Sequence, residues 1–298
     1  MERIHSSDEI TKRYMDSLLL EVRHIGSVLA DTSFPLWGHT FSTPVMTGAL
    51  SHLHRVHEGG MAEMARGAAR ANAVMFSGMG GDDEVKAICD TGAKLVKIIK
   101  TYKDRDLILH RIQNAESCGA ISVGMDIDHA FERRNGYDSV DGMEMRPITE
   151  EELAAFVRST KLPFTVKGVL SVQDALLCKK AGVKAIVVSH HNGRLDYSVP
   201  PLMVLPEIRR AVGNEMKVFV DCGLESGTDI FKCLALGADA CSVGRPLMES
   251  LRAGGAEKVA EHIRALTDDL RYTLSMTGSA DIFSIDPSVV RKMNGEAF

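Results

Sequence analysis

From residue 43 onward the chain alternates short β-rich apolar runs with segments whose apolar residues recur at helical spacing. The runs fall at 44–47, 73–77, 95–99, 120–126, 164–167, 185–189, 218–221 and 241–244. Between them, segments such as 107–117, 172–181, 208–212 and 229–236 place apolar side chains three and four residues apart, on one face of a helix. Gly92, Gly119, Gly182 and Gly237 stand where a helix would stop before the next strand. Alternating strands and helices produce a parallel sheet, and eight strands are what a (β/α)8 TIM barrel requires. A doubly wound open sheet uses the same alternation, but strand count and even spacing favour the barrel. The 298 residues suit one large barrel, and no Pro/Gly/Ser-rich linker divides them, so a single domain over 1–298 is expected. Residues 1–42 read as a helical lead-in, clearest at 14–22, and 256–276 as a closing helix. The long mixed stretch 127–147 reads as an excursion over the active face.

Composition removes several function classes. A net charge of −5 favours neither nucleic acid nor an anionic membrane. No apolar run approaches the ~18 residues of a membrane span. The polar start of the chain lacks the apolar core of a signal peptide, so a cytoplasmic location is the expectation. Six scattered cysteines form no CxxC pair, which argues against metal fingers and a disulfide framework. Most read as buried hydrophobes; Cys222 differs in following a strand. No metal site is expected. His52, His54 and His57 cluster after the first strand, but their spacing matches no strong metal motif. Hydrogen-bonded loop histidines are the simpler reading, with a polar substrate contact from His52 or His54 the sharper one. Met46, Met75, Met79 and Met125, near strand ends, suit either a pocket wall or plain core.

Chemistry in such a barrel sits at the C-terminal strand ends. The sixth run delivers Ser189-His190-His191-Asn192-Gly193-Arg194, placing a base and a guanidinium three residues apart. Lys167 ends the fifth run; a lysine inside a buried strand must be paired or serve an anion. Asp221-Cys222-Gly223 ends the seventh and Gly244-Arg245 the eighth. Barrels bind phosphate between these last two loops, where Arg245 would add a charge-assisted contact. The plain alternative is that the glycines make turns and Arg245 pairs with a surface acid.

The stretch 165–278 resembles the FMN-dependent α-hydroxy-acid oxidase and dehydrogenase family, which includes glycolate and lactate oxidases. The matching pieces are Val166-Lys167-Gly168-Val169, Val188 through Arg194, Asp221-Cys222-Gly223 with Gly227-Thr228-Asp229, and Leu234 through Ala238 with Gly244-Arg245-Pro246. Ser42-Thr43-Pro44-Val45 and Tyr102-Lys103-Asp104-Arg105 extend the resemblance more weakly into the N-terminal half. The resemblance implies FMN as cofactor and oxidation of a small 2-hydroxy acid. By it, His191 is the base and Arg194 holds the substrate carboxylate, with Arg133 or Arg134 as a second substrate arginine. Lys167 stands beside the flavin N1 and O2. Ser189 and Ser77 contact the flavin, while Asp221, Gly223, Gly244 and Arg245 serve the ribityl chain and phosphate. A homo-oligomer, commonly a tetramer, is implied in the same way.

The chain departs from the family pattern around the active site. Tyr14 does not match the family's N-terminal tyrosine. Ile98 and Lys100 stand where the family has Gln and Tyr, Gly124 replaces a threonine, and Asp126 keeps the family aspartate. Glu225 takes an arginine position in the phosphate loop, and His190 and Asn192 replace Asn and Gly. The leading expectation is hydroxy-acid oxidation. Its competitors are non-redox lyase, isomerase or aldolase chemistry on a phosphorylated substrate, and a catalytically silent flavin-binding relative.

Overall fold

A computed structural model describes residues 6–134 and 136–293; of the lead-in, residues 1–5 lie outside them. Eight parallel strands form the barrel: β1 (Val45–Thr47), β2 (Met75–Ser77), β3 (Leu95–Lys100), β4 (Ser122–Asp126), β5 (Phe164–Val169), β6 (Ala185–Val188), β7 (Lys217–Val220) and β8 (Ala240–Val243). Each falls within or beside its expected run. Their order around the sheet is 1-8-7-6-5-4-3-2, so β1 pairs with β8 through Val45 and Cys241. Between β1 and β2 a side chain joins the edges: Thr47 Oγ1 accepts the Phe76 N–H at 2.8 Å, while the Thr47 N–H donates to Val74 at 3.1 Å.

Helices α2 (Gly60–Arg70), α3 (Asp82–Cys89), α4 (Arg105–Ser117), α5 (Glu150–Arg158), α6 (Val172–Ala181), α7 (Pro201–Val212), α8 (Gly227–Ala235) and α9 (Arg245–Met276) surround the sheet, and α1 (Ser7–Asp16) precedes it. The four glycines expected after helices all adopt positive φ. Side-chain caps start several helices: Asp104 accepts from two N–H groups of α4, and Thr149 and Ser226 form capping boxes on α5 and α8. The strand interior is dry: Val166, Ile186, Val218 and Cys241 are fully buried. Met46, Met75, Met79 and Met125 belong to this core.

The lead-in corrects the expectation of a helix at 14–22. α1 stops at Asp16, and Leu18–Leu20 is a strand paired antiparallel with Val290–Lys292. The helical span of α9 is broken at Gly254 and Gly255, whose backbone is not helical, so the closing helix expected over 256–276 is its second part and a shorter helix from Arg245 precedes it. The stretch 127–147 is an excursion of two small hairpins, Phe131–Glu132 with Gly136–Tyr137 and Ser139–Val140 with Met143–Glu144.

Gly124 shows why β4 departs from the family threonine. It pairs with Thr165 of β5, and a Cβ built on it would lie 1.8 Å from the Thr165 carbonyl oxygen. Two buried strands would have to separate to admit any side chain. Gly124→Ala is expected to lower stability by at least ~3 kcal/mol in urea unfolding. Unchanged stability would show that β4 and β5 part easily.

Candidate active site

The C-terminal ends of β3 to β7 bring one cluster of charges together. Lys167 on β5 is buried; its Nζ donates to Ser189 Oγ at 3.3 Å, lies 3.5 Å from Asp221 and stands 3.3 Å from His191 Nδ1. Burial disfavours the ammonium, but Asp221, Asp126 and Asp128 outweigh it and raise its pKa above the ordinary lysine value. Lys167 is therefore a fixed cation.

His191 follows β6 in a left-handed conformation, φ 51°, and its backbone N–H is held by Ser189 Oγ at 3.0 Å. Its Nδ1 is 2.7 Å from Asp128 Oδ1 and 3.4 Å from Asp126 Oδ1. A proton on Nδ1 then points at a carboxylate and leaves Nε2 as a free lone pair. Burial favours the neutral ring, yet Asp126 reverses that and lifts the pKa above the usual histidine value. Asp126 also accepts from Lys100 Nζ at 2.6 Å, with both side chains buried. Burial opposes its ionisation; Lys167, then Lys100, overcome this and hold the carboxyl well below its usual range. The donor atoms of Asp126, Asp128, His129 and His191 lie within 4.8 Å of one another, but these carboxylates already answer to two ammonium groups. His129 packs edge-on against His191, ring centroids 4.5 Å apart, and burial lowers its pKa to about 4, so it is neutral.

A cavity of about 540 Å³ opens beside this cluster, a size typical of small-molecule sites. Lys167, His191 and Asp221 line it, together with Gly223, Gly244 and Arg245. Arg245 is the first residue of α9, where the helix N-terminus adds positive potential for an anion. The N-terminus of α8 is already taken, since Gly227 and Thr228 donate to Asp269 at 2.6 and 3.3 Å. Of these two helix starts, only that of α9, with Arg245, lines the cavity with its N–H groups not taken by Asp269. Arg245 Nη2 reaches Asp8 at 2.9 Å and Asn192 Oδ1 at 3.1 Å, while Glu225 lies 3.9 Å from Lys12. A buried cation and a helix-mounted arginine on one cavity fit the electron-accepting ring and the phosphate of FMN.

Helix α1 is a cavity wall that the sequence did not announce: Asp8, Glu9 and Lys12 line it. The His190 departure explains how α1 is held. His190 turns away from the cavity, its Nε2 2.8 Å from Thr11 Oγ1, while its Nδ1 accepts the Gly193 N–H at 3.1 Å. Cys222 is buried beside Asp221, and burial pushes its thiol up to about 12, so it is no reactive thiol.

Four expected site residues, Ser189, Ser77, Arg133 and Arg194, lie apart from the cavity lining. Ser77 ends β2 fully buried, its Oγ accepting from Lys97 at 3.3 Å. Burial lowers the Lys97 pKa to about 8. Arg133 is exposed and pairs with Asp196 at 2.8 Å. Arg194 is engaged by the excursion: its Nη2 donates to Asp138 at 2.6 Å and to the Phe131 carbonyl at 2.7 Å. Arg105, from the weaker N-terminal match, also ties this segment down, through the Pro147 carbonyl at 2.7 Å. His52 does not supply a contact in the cavity lining; its Nε2 lies 3.5 Å from Asp141 of the excursion. Asp128, His129 and Asp138 were not foreseen, although Asp126-Ile127-Asp128 sets two acids two residues apart at a strand end, the spacing that shares a side in extended chain.

The model of the FMN-dependent dehydrogenase family matches residues 6–150 and 133–292. The chain belongs to that family, and it is an oxidoreductase whose cofactor is FMN. Among particular relatives, it is 31% identical to a peroxisomal (S)-2-hydroxyacid oxidase of Arabidopsis thaliana, covering 89% of this chain and 82% of that protein. Glycolate oxidase of Spinacia oleracea is 26% identical, over 91% of this chain and 82% of its own length. The solved structure of a mandelate oxidase superposes with a TM-score of 0.86 at 26% identity, covering 96% of this chain and 90% of that one. Among the described residues, no helix is long and apolar enough to cross a membrane.

Proposed function

We propose that the protein oxidises a small 2-hydroxy acid to the 2-oxo acid, with His191 as the base. The observation that carries this reading is the imidazole seated by Nδ1 between the buried Asp126 and the half-buried Asp128, 3.3 Å from the fixed cation Lys167. Nε2 takes the proton of the substrate hydroxyl, and Asp126 and Asp128 stabilise the imidazolium that results. Bound FMN would supply the acceptor for the hydride that leaves the substrate carbon. Lys167 supplies the positive charge that a reduced, anionic ring needs. Arg194 anchors the substrate carboxylate by exchanging Asp138 for it.

The engagement of Arg194 by Asp138 favours one second reading, a flavin-binding relative that leaves hydroxy acids untouched. The test is optical. Purified protein should be yellow, and its flavin bands should bleach anaerobically when glycolate, lactate or mandelate is added. Failure to take up FMN would overturn the proposal. A flavin that none of these acids bleaches would favour the silent relative.

A further inference from the structure

We infer that Asp128 is the carboxylate that orients His191, and that Lys100 makes it so by drawing Asp126 into an ion pair. The inference rests on the reading of His191 as the base, and it assigns Asp128 and Lys100 as positioning residues.

Two aspartates flank the same ring nitrogen. Only Asp128, at 2.7 Å, makes a hydrogen bond of ordinary length; the 3.4 Å to Asp126 is beyond it. Asp126 is turned by its other oxygen, which takes the Lys100 ammonium at 2.6 Å. Both Lys100 and Asp126 are buried, so water screens their attraction little. Asp126 Oδ1 is thereby left buried without a hydrogen-bond partner. It supplies negative potential to the ring without fixing its angle.

The backbone makes room for Asp128. Gly168 of β5 has φ +91°, and a Cβ there would lie 2.5 Å from Asp128 Oδ2. A side chain at 168 would push the carboxylate off the imidazole. Lys167 and Gly168 thus serve the ring in succession, one as a cation and one as vacant space.

The charges around the ring also balance. Facing it are Asp126 and Asp128 from the end of β4, Lys167 from β5 and, through Lys167, Asp221 after β7; Lys100 comes from β3. His129 is neutral, and Arg194 is neutralised by Asp138. Three carboxylates against two ammonium groups leave one negative charge, which a protonated His191 cancels. Lys100 limits this pull. Without it Asp126 would hold the proton on His191 more tightly and make the imidazole slower to return to its basic form.

The test uses the full chain with FMN, labelled with 15N-histidine, and His191→Gln to identify the signal. Two-bond proton–nitrogen spectra read the tautomer, and a pH series reads the titration. Asp128→Asn should lower the His191 titration by about one unit and mix the two tautomers. Asp128→Glu should restore the Nδ1–H form in part. Lys100→Met should move the titration upward, a direction that general loosening of the site would not produce. The acid limb of anaerobic flavin reduction should follow both shifts, with the plateau falling about ten-fold in Asp128→Asn. A tautomer undisturbed by Asp128→Asn but scrambled by Asp126→Asn would overturn the assignment of Asp128. An unmoved titration in Lys100→Met would overturn that of Lys100. If no hydroxy acid bleaches the wild-type flavin, the proposed function fails, while the imidazole spectra still decide which aspartate holds the ring.

Discussion

His191→Asn should keep FMN bound and slow its reduction by a 2-hydroxy acid roughly 10²–10⁴-fold. Binding should survive because, on the proposed reading, the phosphate end rests on Arg245 and α9 and the charge that serves the flavin ring is on Lys167, all apart from the His191 side chain. Rate falls because asparagine has no lone pair of comparable basicity to offer. The pH profile gives the sharper check. The folded His191 pKa is raised, and only the neutral ring can take a proton, so the wild-type rate should climb with pH through a midpoint above the ordinary histidine value of ~6.5. Folding linkage has the matching sign: a raised histidine pKa adds stability below the unfolded value and loses it as pH rises through the folded one. Stopped-flow bleaching from pH 6 to 9 should show the limb in wild type and none in His191→Asn. A variant that retains the same limb would remove His191 from the role of base.

Lys167→Met should be the most damaging single change to the site, costing about 3–5 kcal/mol of stability. Methionine fills much of the space, so packing is largely kept. What is lost is the partner of buried charge: Asp126, Asp128 and Asp221 all act on this ammonium. The sign against pH follows. In wild type the Asp126 carboxyl is held well below its usual range, so its contribution is present above the unfolded value of ~3.9 and disappears only as pH falls through the lower folded one. Without Lys167 the folded value rises, and stability should start to fall at a higher pH. Urea unfolding at pH 7 and pH 4.5 measures this. A variant as stable as wild type at both would show that water reaches the cluster and replaces the lysine. FMN affinity should fall with stability, because the same charge serves the reduced ring.

The barrel was legible because its signal is local and repeated. Each strand announces itself as a short apolar run, and each glycine stop is read within four residues of its helix. The cluster on β5 to β8 was legible for a related reason: Lys167 lies in β5, and Ser189, His191, Asp221 and Arg245 come within three residues of a strand end, so placing the strand places the residue. What the sequence hides lies where distant parts of the chain meet. Leu18, Leu19 and Leu20 continue the apolar pattern of α1 in sequence, and only pairing with Val290–Lys292 makes them a strand. Arg194 looked free for a substrate because nothing in its neighbourhood names Asp138, which reaches it from the excursion. Nothing in the sequence singles out Asp8; its meeting with Arg245 spans 237 residues of chain. Lys100 was visible as a departure, but its meaning needed Asp126 beside it.

The order of strands around the ring has a consequence for how the protein is made. The ladder partner of β1 is β8, and Cys241 stands nearly two hundred residues after Val45. A chain that leaves the ribosome from its N-terminus presents the first strand long before the last exists. Until then β1 can use only its seam with β2, where the Thr47 hydroxyl stands in for part of a ladder. Closure of the ring is thus a late, long-range event. Because the cavity beside His191 and Lys167 is lined by residues next to both β1 and β8, it is among the last parts of the molecule to come into being.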